Sequence, residues 1–130
     1  MKKGYVDNIE KATKENTDFR RVLYTGNYSQ LVVMSIEPGD DIGEEIHGLD
    51  QFLRIEEGKG KVVLNKTDEY EVEDDFAIVV PAGMWHNVVN TGEEPLKLYS
   101  IYAPPEHKEG TVHATKADQE EEHFDGETTE

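Results

Sequence analysis

The side chains best suited to chemistry lie in two short segments of the chain, each bounded by glycine or proline. Glu45 and His47 stand two positions apart, and on a strand that spacing places both side chains on one face. Gln51 follows a short turn that can fold the chain back toward the same space, and His86 follows a rigid Pro81-Ala82-Gly83 turn. A carboxylate, an amide oxygen and two imidazoles could therefore meet at one point.

Such a ligand set suits a divalent metal ion, namely Mn, Fe, Co, Ni or Zn, rather than Cu(I). The chain has no cysteine, so a metal must be held by nitrogen and oxygen atoms. Three or four protein ligands leave at least one coordination position open for water or substrate, as a catalytic site requires. Each residue taken singly is ordinary, and only the combination indicates a site. Glu44 is an alternative to Glu45, but on a strand it would point to the opposite face.

Short β-rich runs separated by turn residues must position these side chains. At least eight such runs lie between residues 22 and 105, and proline and glycine stand at their breaks rather than inside them. No helical apolar period lies between them, so the pattern favours an all-β sandwich or barrel. The polar stretch 8–21 is typical of a short helical turn or a loop. We therefore divide the chain into an N-terminal arm (1–21), a barrel (22–105) and an acidic C-terminal tail (106–130).

The C-terminal tail has few apolar residues and carries a block of negative charge at 119–125. Such a segment cannot bury enough apolar surface to order itself. Two arrangements remain open, since the tail can drape over the barrel or stay mobile. In the first, His107 or His113 could come near the metal, whereas in the second both are solvated.

The spacing within the two chemical segments resembles that of the two motifs of the cupin superfamily. The fixed positions of the first motif fall on Gly39, Glu45, His47, Gln51 and Gly58. Those of the second motif fall on Asp75, Pro81, Gly83, His86 and Asn90. Three positions depart from the pattern, because Glu45 replaces a His, Gln51 replaces a Glu and Asp75 replaces a Gly. The formal charge of the ligand set is unchanged, since the carboxylate has moved from the third ligand position to the first.

The chain is similar to small single-domain cupins of the type loosely called phosphomannose-isomerase-like. The resemblance implies an all-β cupin β-barrel, a double-stranded β-helix or jelly roll, preceded by a short N-terminal helical or loop segment. It also implies a homodimer and one divalent metal ion. The expected ligands of that ion are Glu45, His47, Gln51 and His86.

A metal site of this kind supports three hypotheses about function. The first is a metal-dependent enzyme of isomerase or dioxygenase type that acts on a small metabolite, and two His with one carboxylate match the ligand set of non-haem iron oxygenases. The alternative is a non-catalytic module that binds or senses a small molecule with the help of the metal. The third, a metal-free structural barrel, has the least support. No general base other than the ligands stands out in the sequence.

The overall charge restricts the partners. With 13 basic and 29 acidic residues the chain has a formal net charge of −16, which repels nucleic acid and anionic lipid. No apolar run approaches the length that spans a membrane, and no apolar segment of a signal peptide follows the basic first residues. We expect a cytoplasmic protein with a small-molecule ligand and without nucleic-acid or membrane partners.

Overall fold

The structure, a computed structural model, describes residues 3–120 and 122–130. Within them the chain forms one short α-helix, nine strands and one turn of 3-10 helix. In chain order the elements are α1 (Ile9–Glu15), β1 (Arg20–Thr25), β2 (Gln30–Ile36), β3 (Asp50–Glu57), β4 (Lys59–Leu64), β5 (Asp68–Glu73), β6 (Ala77–Val80), β7 (His86–Asn90), β8 (Leu96–Ala103), β9 (Val112–His113) and the 3-10 turn Lys116–Asp118. The predicted all-β fold with a short N-terminal helix is confirmed.

The strands form two antiparallel sheets that share one hydrophobic core. The larger sheet has the order β6-β3-β8-β2-β1-β9, and the smaller has the order β5-β4-β7. Buried side chains of both sheets form a single apolar cluster, with Leu53 and Leu98 from the larger sheet and Val62 and Val88 from the smaller. Non-consecutive neighbours such as β3 and β8 show that the chain crosses between distant strands. The two sheets therefore enclose the space in which the functional side chains lie.

Alternating burial sets the direction of the side chains that matter for function. In β3 the side chains of Gln51, Leu53 and Ile55 are buried, and the residues between them are partly exposed. In β7 the same alternation buries His86, Val88 and Asn90. Because successive side chains of a strand point to opposite faces, Gln51 and His86 face inward with the core residues of their own strands.

The turn between β3 and β4 allows the two sheets to approach closely. Gly58 adopts a φ of +114°, a conformation that glycine enters without steric cost. A Cβ atom on Gly60 would lie 2.7 Å from the carbonyl oxygen of Val89 and 2.9 Å from a methyl carbon of Leu96. Glycine at position 60 is therefore required by the contact of β4 with its neighbours.

The C-terminal tail lies along the larger sheet. β9 pairs with β1, with Arg20 opposite His113, and the amide of Thr129 donates to the carbonyl oxygen of Thr25 at 2.8 Å. Of the two arrangements that the composition allows, the structure shows the tail draped on the barrel. The tail is ordered through backbone pairing with a strand edge rather than through burial of apolar surface. No helix in the described part of the chain is long and apolar enough to cross a membrane.

Candidate metal centre

The segment that carries Glu45 and His47 runs beside β7 but is not a regular strand. It touches β7 through two isolated bridges, Asp41 with Val89 and Glu45 with His86. Around the second bridge the amide of each residue donates to the carbonyl oxygen of the other, and both distances are 2.9 Å. The prediction of a strand through Glu45 and His47 is thus wrong in form, because the segment pairs only locally. The pairing nevertheless fixes Glu45 directly beside His86.

Backbone contacts also hold the two imidazoles. The carbonyl oxygen of His47 accepts from the amide of Gly83 at 2.8 Å, which ties the first motif to the turn of the second. Nδ1 of His86 lies 3.1 Å from the carbonyl oxygen of Met84, an acceptor that requires the proton on Nδ1. Nε2 of His86 is then left with a free lone pair. The two rings are 5.2 Å apart, centre to centre.

Glu45, His47 and His86, which we call the metal triad, converge on one point. Each offers one ligand atom, and the three atoms lie within 4.8 Å of one another. Nε2 of both histidines is buried without a hydrogen-bond partner among the described residues. Buried polar atoms are normally satisfied, so two orphaned imidazole nitrogens beside a carboxylate indicate a missing partner. A divalent metal ion fits this set of donors.

Gln51, the fourth predicted ligand, lies on β3 and is 3% exposed. Its Nε2 donates to Oγ of Ser100 at 3.3 Å, and its Oε1 is buried without a partner in the described structure. Its cross-strand neighbour in β8 is Tyr102, whose ring lies 6.0 Å from that of His47. An amide oxygen without a hydrogen bond is consistent with a fourth ligand, and the assignment of Gln51 stays a prediction.

Burial controls the protonation of the triad. It raises the pKa of Glu45 to about 7, with a further rise from Glu106 and an opposing effect of Arg20. Burial, aided by the neighbouring His86 and Arg20, lowers the pKa of His47 to about 4. Burial also lowers the pKa of His86. At neutral pH both imidazoles are therefore uncharged and able to donate a lone pair to a metal.

The C-terminal tail supplies a second carboxylate beside the triad. Oε1 of Glu106 lies 3.5 Å from Nδ1 of His47, and Nδ1 of His123 lies 3.1 Å from the same oxygen. The two tail segments are joined by a bridge between His107 and His123 and by a bond from the amide of Phe124 to the carbonyl oxygen of Glu106 at 2.9 Å. Glu106 is thus placed to orient the ring of His47 from the side away from the metal.

A buried amide fixes the beginning of the tail. Oε1 of Gln30 on β2 accepts from the amides of Glu106 and His107, at 3.2 and 2.9 Å, and its Nε2 donates to the carbonyl oxygen of His107 at 2.8 Å. His107 packs edge-on against Tyr102, and burial lowers its pKa to about 3. His107, one of the two tail histidines that the sequence brings into question, therefore lies at the barrel mouth in its neutral form.

A cavity of about 640 Å³ opens beside Glu45 and His47 of the triad. Its wall includes Arg20, Glu45, His47, Trp85, Glu106 and His123. This volume suits a small organic molecule. Sequence reasoning missed Arg20, Glu106 and His123, because they come from β1 and from the tail, outside the two motif segments. Only the concentration of His and Glu in the tail could have pointed to the last two.

Comparison with known proteins defines the class. The cupin domain family matches residues 32–102, a span that contains the triad and most of the strands. The chain therefore belongs to the cupin family, as the two motifs predict. The departures at positions 45 and 51 thus occur within a cupin barrel.

Individual relatives are similar over most of the chain. An uncharacterized protein of Bacillus subtilis, YrkC, is 58% identical in an alignment of 122 residues that covers 89% of this chain and 66% of the relative. An uncharacterized protein of Acanthamoeba polyphaga mimivirus is 40% identical in an alignment of 112 residues that covers 83% of this chain and 70% of the relative. A crystal structure of a protein from Bacillus halodurans is 58% identical, covers 89% of this chain and 92% of that chain, and has a TM-score of 0.87. This chain thus spans about two thirds of the length of the two curated relatives.

Proposed function

We propose that this protein is a metal-dependent enzyme that acts on a small metabolite, and that its reaction is of the dioxygenase type. One observation carries the proposal: the ligand atoms of Glu45, His47 and His86 lie within 4.8 Å of one another. Two His and one carboxylate with open positions form the ligand set that non-haem Fe(II) oxygenases use. Gln51 is the proposed fourth ligand, and Mn, Co, Ni and Zn are the other candidate ions.

When bound, a redox-active divalent ion supplies the open coordination positions at which oxygen and substrate can meet. The chain itself supplies the orientation. Met84 fixes the tautomer of His86 through its carbonyl oxygen, and Glu106 faces Nδ1 of His47. Such outer partners hold a ligating imidazole in place and raise its basicity. The cavity above the triad provides room for a small substrate next to the open positions.

An isomerase is the second candidate, and the pair of Glu106 and His123 favours it. Both side chains line the cavity, and Oε1 of Glu106 lies 3.1 Å from Nδ1 of His123. His123 is largely exposed and Glu106 is largely buried, so the pair connects the cavity wall with solvent. A carboxylate and an imidazole in this arrangement can take up and return a proton, as an isomerisation requires.

Metal analysis combined with oxygen uptake tests the proposal. The protein is purified from a culture supplied equally with Mn, Fe, Co, Ni and Zn, and its metal content is measured by mass spectrometry. We expect bound iron and oxygen uptake with at least one member of a panel of small metabolites. The matched variants are Glu45→Gln, which should lose metal and activity, and Glu44→Gln, which alters an exposed neighbour and should keep the metal.

Each alternative has its own outcome in this experiment. Bound metal with interconversion of isomers and no oxygen uptake would establish the isomerase instead. Bound metal and a bound metabolite without turnover would establish a binding or sensor module. A metal content near zero that does not rise on reconstitution would overturn the metal centre and leave a structural barrel.

The proposed assembly is a homodimer in the cytoplasm, with a small molecule as ligand. The resemblance to cupins supports the dimer, and the strongly acidic composition supports the absence of nucleic-acid and membrane partners. Sedimentation equilibrium tests the assembly, since a mass near that of one 14.8 kDa chain would contradict it.

A further inference from the structure

We propose that Arg20 binds a carboxylate group of the substrate in the wall of the cavity above the metal centre. The inference rests on the proposed function in one respect, namely that the cavity above the triad is where the substrate lies. It goes beyond that function by assigning a recognition residue and a chemical class. The predicted substrate is a small molecule that carries a carboxylate.

Arg20 is the first residue of β1 and lies on the inward face of the larger sheet. It is 2% exposed, and its strand neighbours in register are Met34 on β2 and His113 on β9. Arg21, the next residue, is exposed, as the alternation of a strand requires. The guanidinium group is therefore held inside the protein, and it lines the same cavity as Glu45 and His47.

This buried charge has no carboxylate partner in the part of the chain that the structure describes. Its hydrogen bonds are neutral ones from Nη1, at 2.7 Å to Oε1 of Gln119 and at 3.4 Å to Nδ1 of His113. Its Nε is buried without any partner among the described residues. The ring of Phe19 lies 5.2 Å below the guanidinium carbon. Because a buried charge is costly unless it is paired, the geometry calls for an anion from outside the chain.

The electrostatics of the cavity agree with a cation that faces the metal centre. The charge of Arg20 opposes the burial-driven rise in the pKa of Glu45. It also adds to the burial-driven fall in the pKa of His47 and of His107. Arg20 therefore acts on the triad and on the barrel mouth together, and it lines the same cavity as Glu45 and His47.

The shape and charge of the wall favour a carboxylate over a phosphate. Nη1 is occupied by Gln119 and His113, and Nε has no partner, so the edge formed by Nε and Nη2 carries no hydrogen bond from the described residues. This edge presents two parallel donors, the arrangement that a carboxylate accepts with its two oxygens. Glu106 and other carboxylates also line the cavity, so a dianionic phosphate would meet more repulsion than a carboxylate.

Nuclear magnetic resonance of the Arg20 side chain tests the proposal directly. Nitrogen-15-labelled protein, loaded with diamagnetic zinc, is titrated with propionate, with its neutral counterpart propionamide, and with inorganic phosphate. The Nε–H resonance of Arg20 is assigned by its loss in Arg20→Lys. We expect a saturable shift with propionate, and at least about tenfold weaker binding of propionamide, as the loss of a charge-assisted hydrogen bond implies. Phosphate should also bind more weakly than propionate, because the carboxylates of the cavity wall repel a dianion more strongly.

Two variants separate substrate binding from a purely structural role. Arg20→Gln should weaken propionate binding at least about tenfold. Gln119→Ala removes the shorter of the two side-chain hydrogen bonds between Arg20 and the tail but keeps the guanidinium, and it should leave propionate affinity within about twofold. If Arg20→Gln fails to fold, the titration of the Arg20 resonance in the unaltered protein decides the question alone.

The contradicting results are specific. Equal binding of propionate and propionamide, or propionate binding unchanged in Arg20→Gln, would overturn the inference. Tighter binding of phosphate would overturn the chemical class, and equal losses in Arg20→Gln and Gln119→Ala would show that Arg20 only anchors the tail.

The titration is repeated on chelator-treated protein, and the metal content of each sample is measured separately. Propionate binding to Arg20 without any metal binding would refute the proposed function and leave this site standing.

Discussion

Replacing Glu106 by Gln tests whether the C-terminal tail is part of the metal site. The change removes the negative charge beside Nδ1 of His47 and keeps the size of the side chain. Glu106 and His47 are both well shielded from solvent, with side-chain exposures of 13% and 10%, so solvent weakens their interaction little. A glutamine can also present its amide nitrogen to Nδ1, and this arrangement would favour the tautomer that carries the proton on Nε2, where the metal should bind.

The magnitude follows from what such outer carboxylates contribute elsewhere. Loss of an outer partner of a ligating histidine typically costs about 10–100-fold in metal affinity. This corresponds to about 1.4–2.7 kcal/mol of binding free energy. We expect Glu106→Gln to lower zinc affinity within this range, while thermal unfolding of the metal-free variant stays close to that of the unaltered protein.

Competition with a chromophoric chelator measures the affinity. The matched control is Glu109→Gln, because Glu109 is a tail glutamate that contacts Thr25 and Thr129 rather than the triad. Zinc affinity should be unchanged in this control. If Glu106→Gln also binds zinc within about twofold of the unaltered protein, Glu106 does not position His47.

Three further results are expected from the same structure. At pH 6 metal binding should release about one proton, because Glu45 with a pKa near 7 must deprotonate whereas His47 with a pKa near 4 is already neutral. Calorimetry in buffers of different ionisation enthalpy measures the number of protons released, and release of two protons would contradict the assignment. For the same reason metal affinity should fall as the pH drops below 7. Leu53→Ala should lower the free energy of unfolding by about 2–5 kcal/mol in urea titrations, since the side chain is fully buried in the core; a loss below 1 kcal/mol would be too small for a core position. Gly60→Ala should cost about 1–3 kcal/mol because its Cβ would overlap the neighbouring backbone, whereas Gly48→Ala, which meets nothing within 4 Å, should cost clearly less.

Much of the fold could be predicted because its signals are local. Short apolar runs with glycine and proline at their breaks indicate strands, and the burial alternation in β3 and β7 follows from the same pattern. The two cupin motifs then bring Glu45, His47 and His86 together, although the regular strand expected through the first two is only an isolated bridge. Spacing along the chain was sufficient to predict that the triad residues meet, because backbone pairing places Glu45 directly beside His86.

The outer part of the site could not be predicted, because it depends on contacts between distant parts of the chain. Glu106 lies just beyond the end of β8, and the distant residue Gln30 on β2 holds its backbone in place. Nothing in the composition of the tail distinguishes this arrangement from a mobile segment. Arg20 likewise reads as a surface charge next to Arg21, and only the register of β1 shows that one faces inward and the other outward.

The metal content of the unaltered protein and of His86→Ala tests the central claim most directly. His86 is buried, its Nε2 has no partner among the described residues, and its backbone rather than its side chain pairs with Glu45. We predict about one divalent ion per chain in the unaltered protein and a content near zero in His86→Ala, with circular dichroism showing that the variant keeps its β fold. Equal metal content in the two folded proteins would contradict the assigned centre, as would a lack of metal in both after reconstitution.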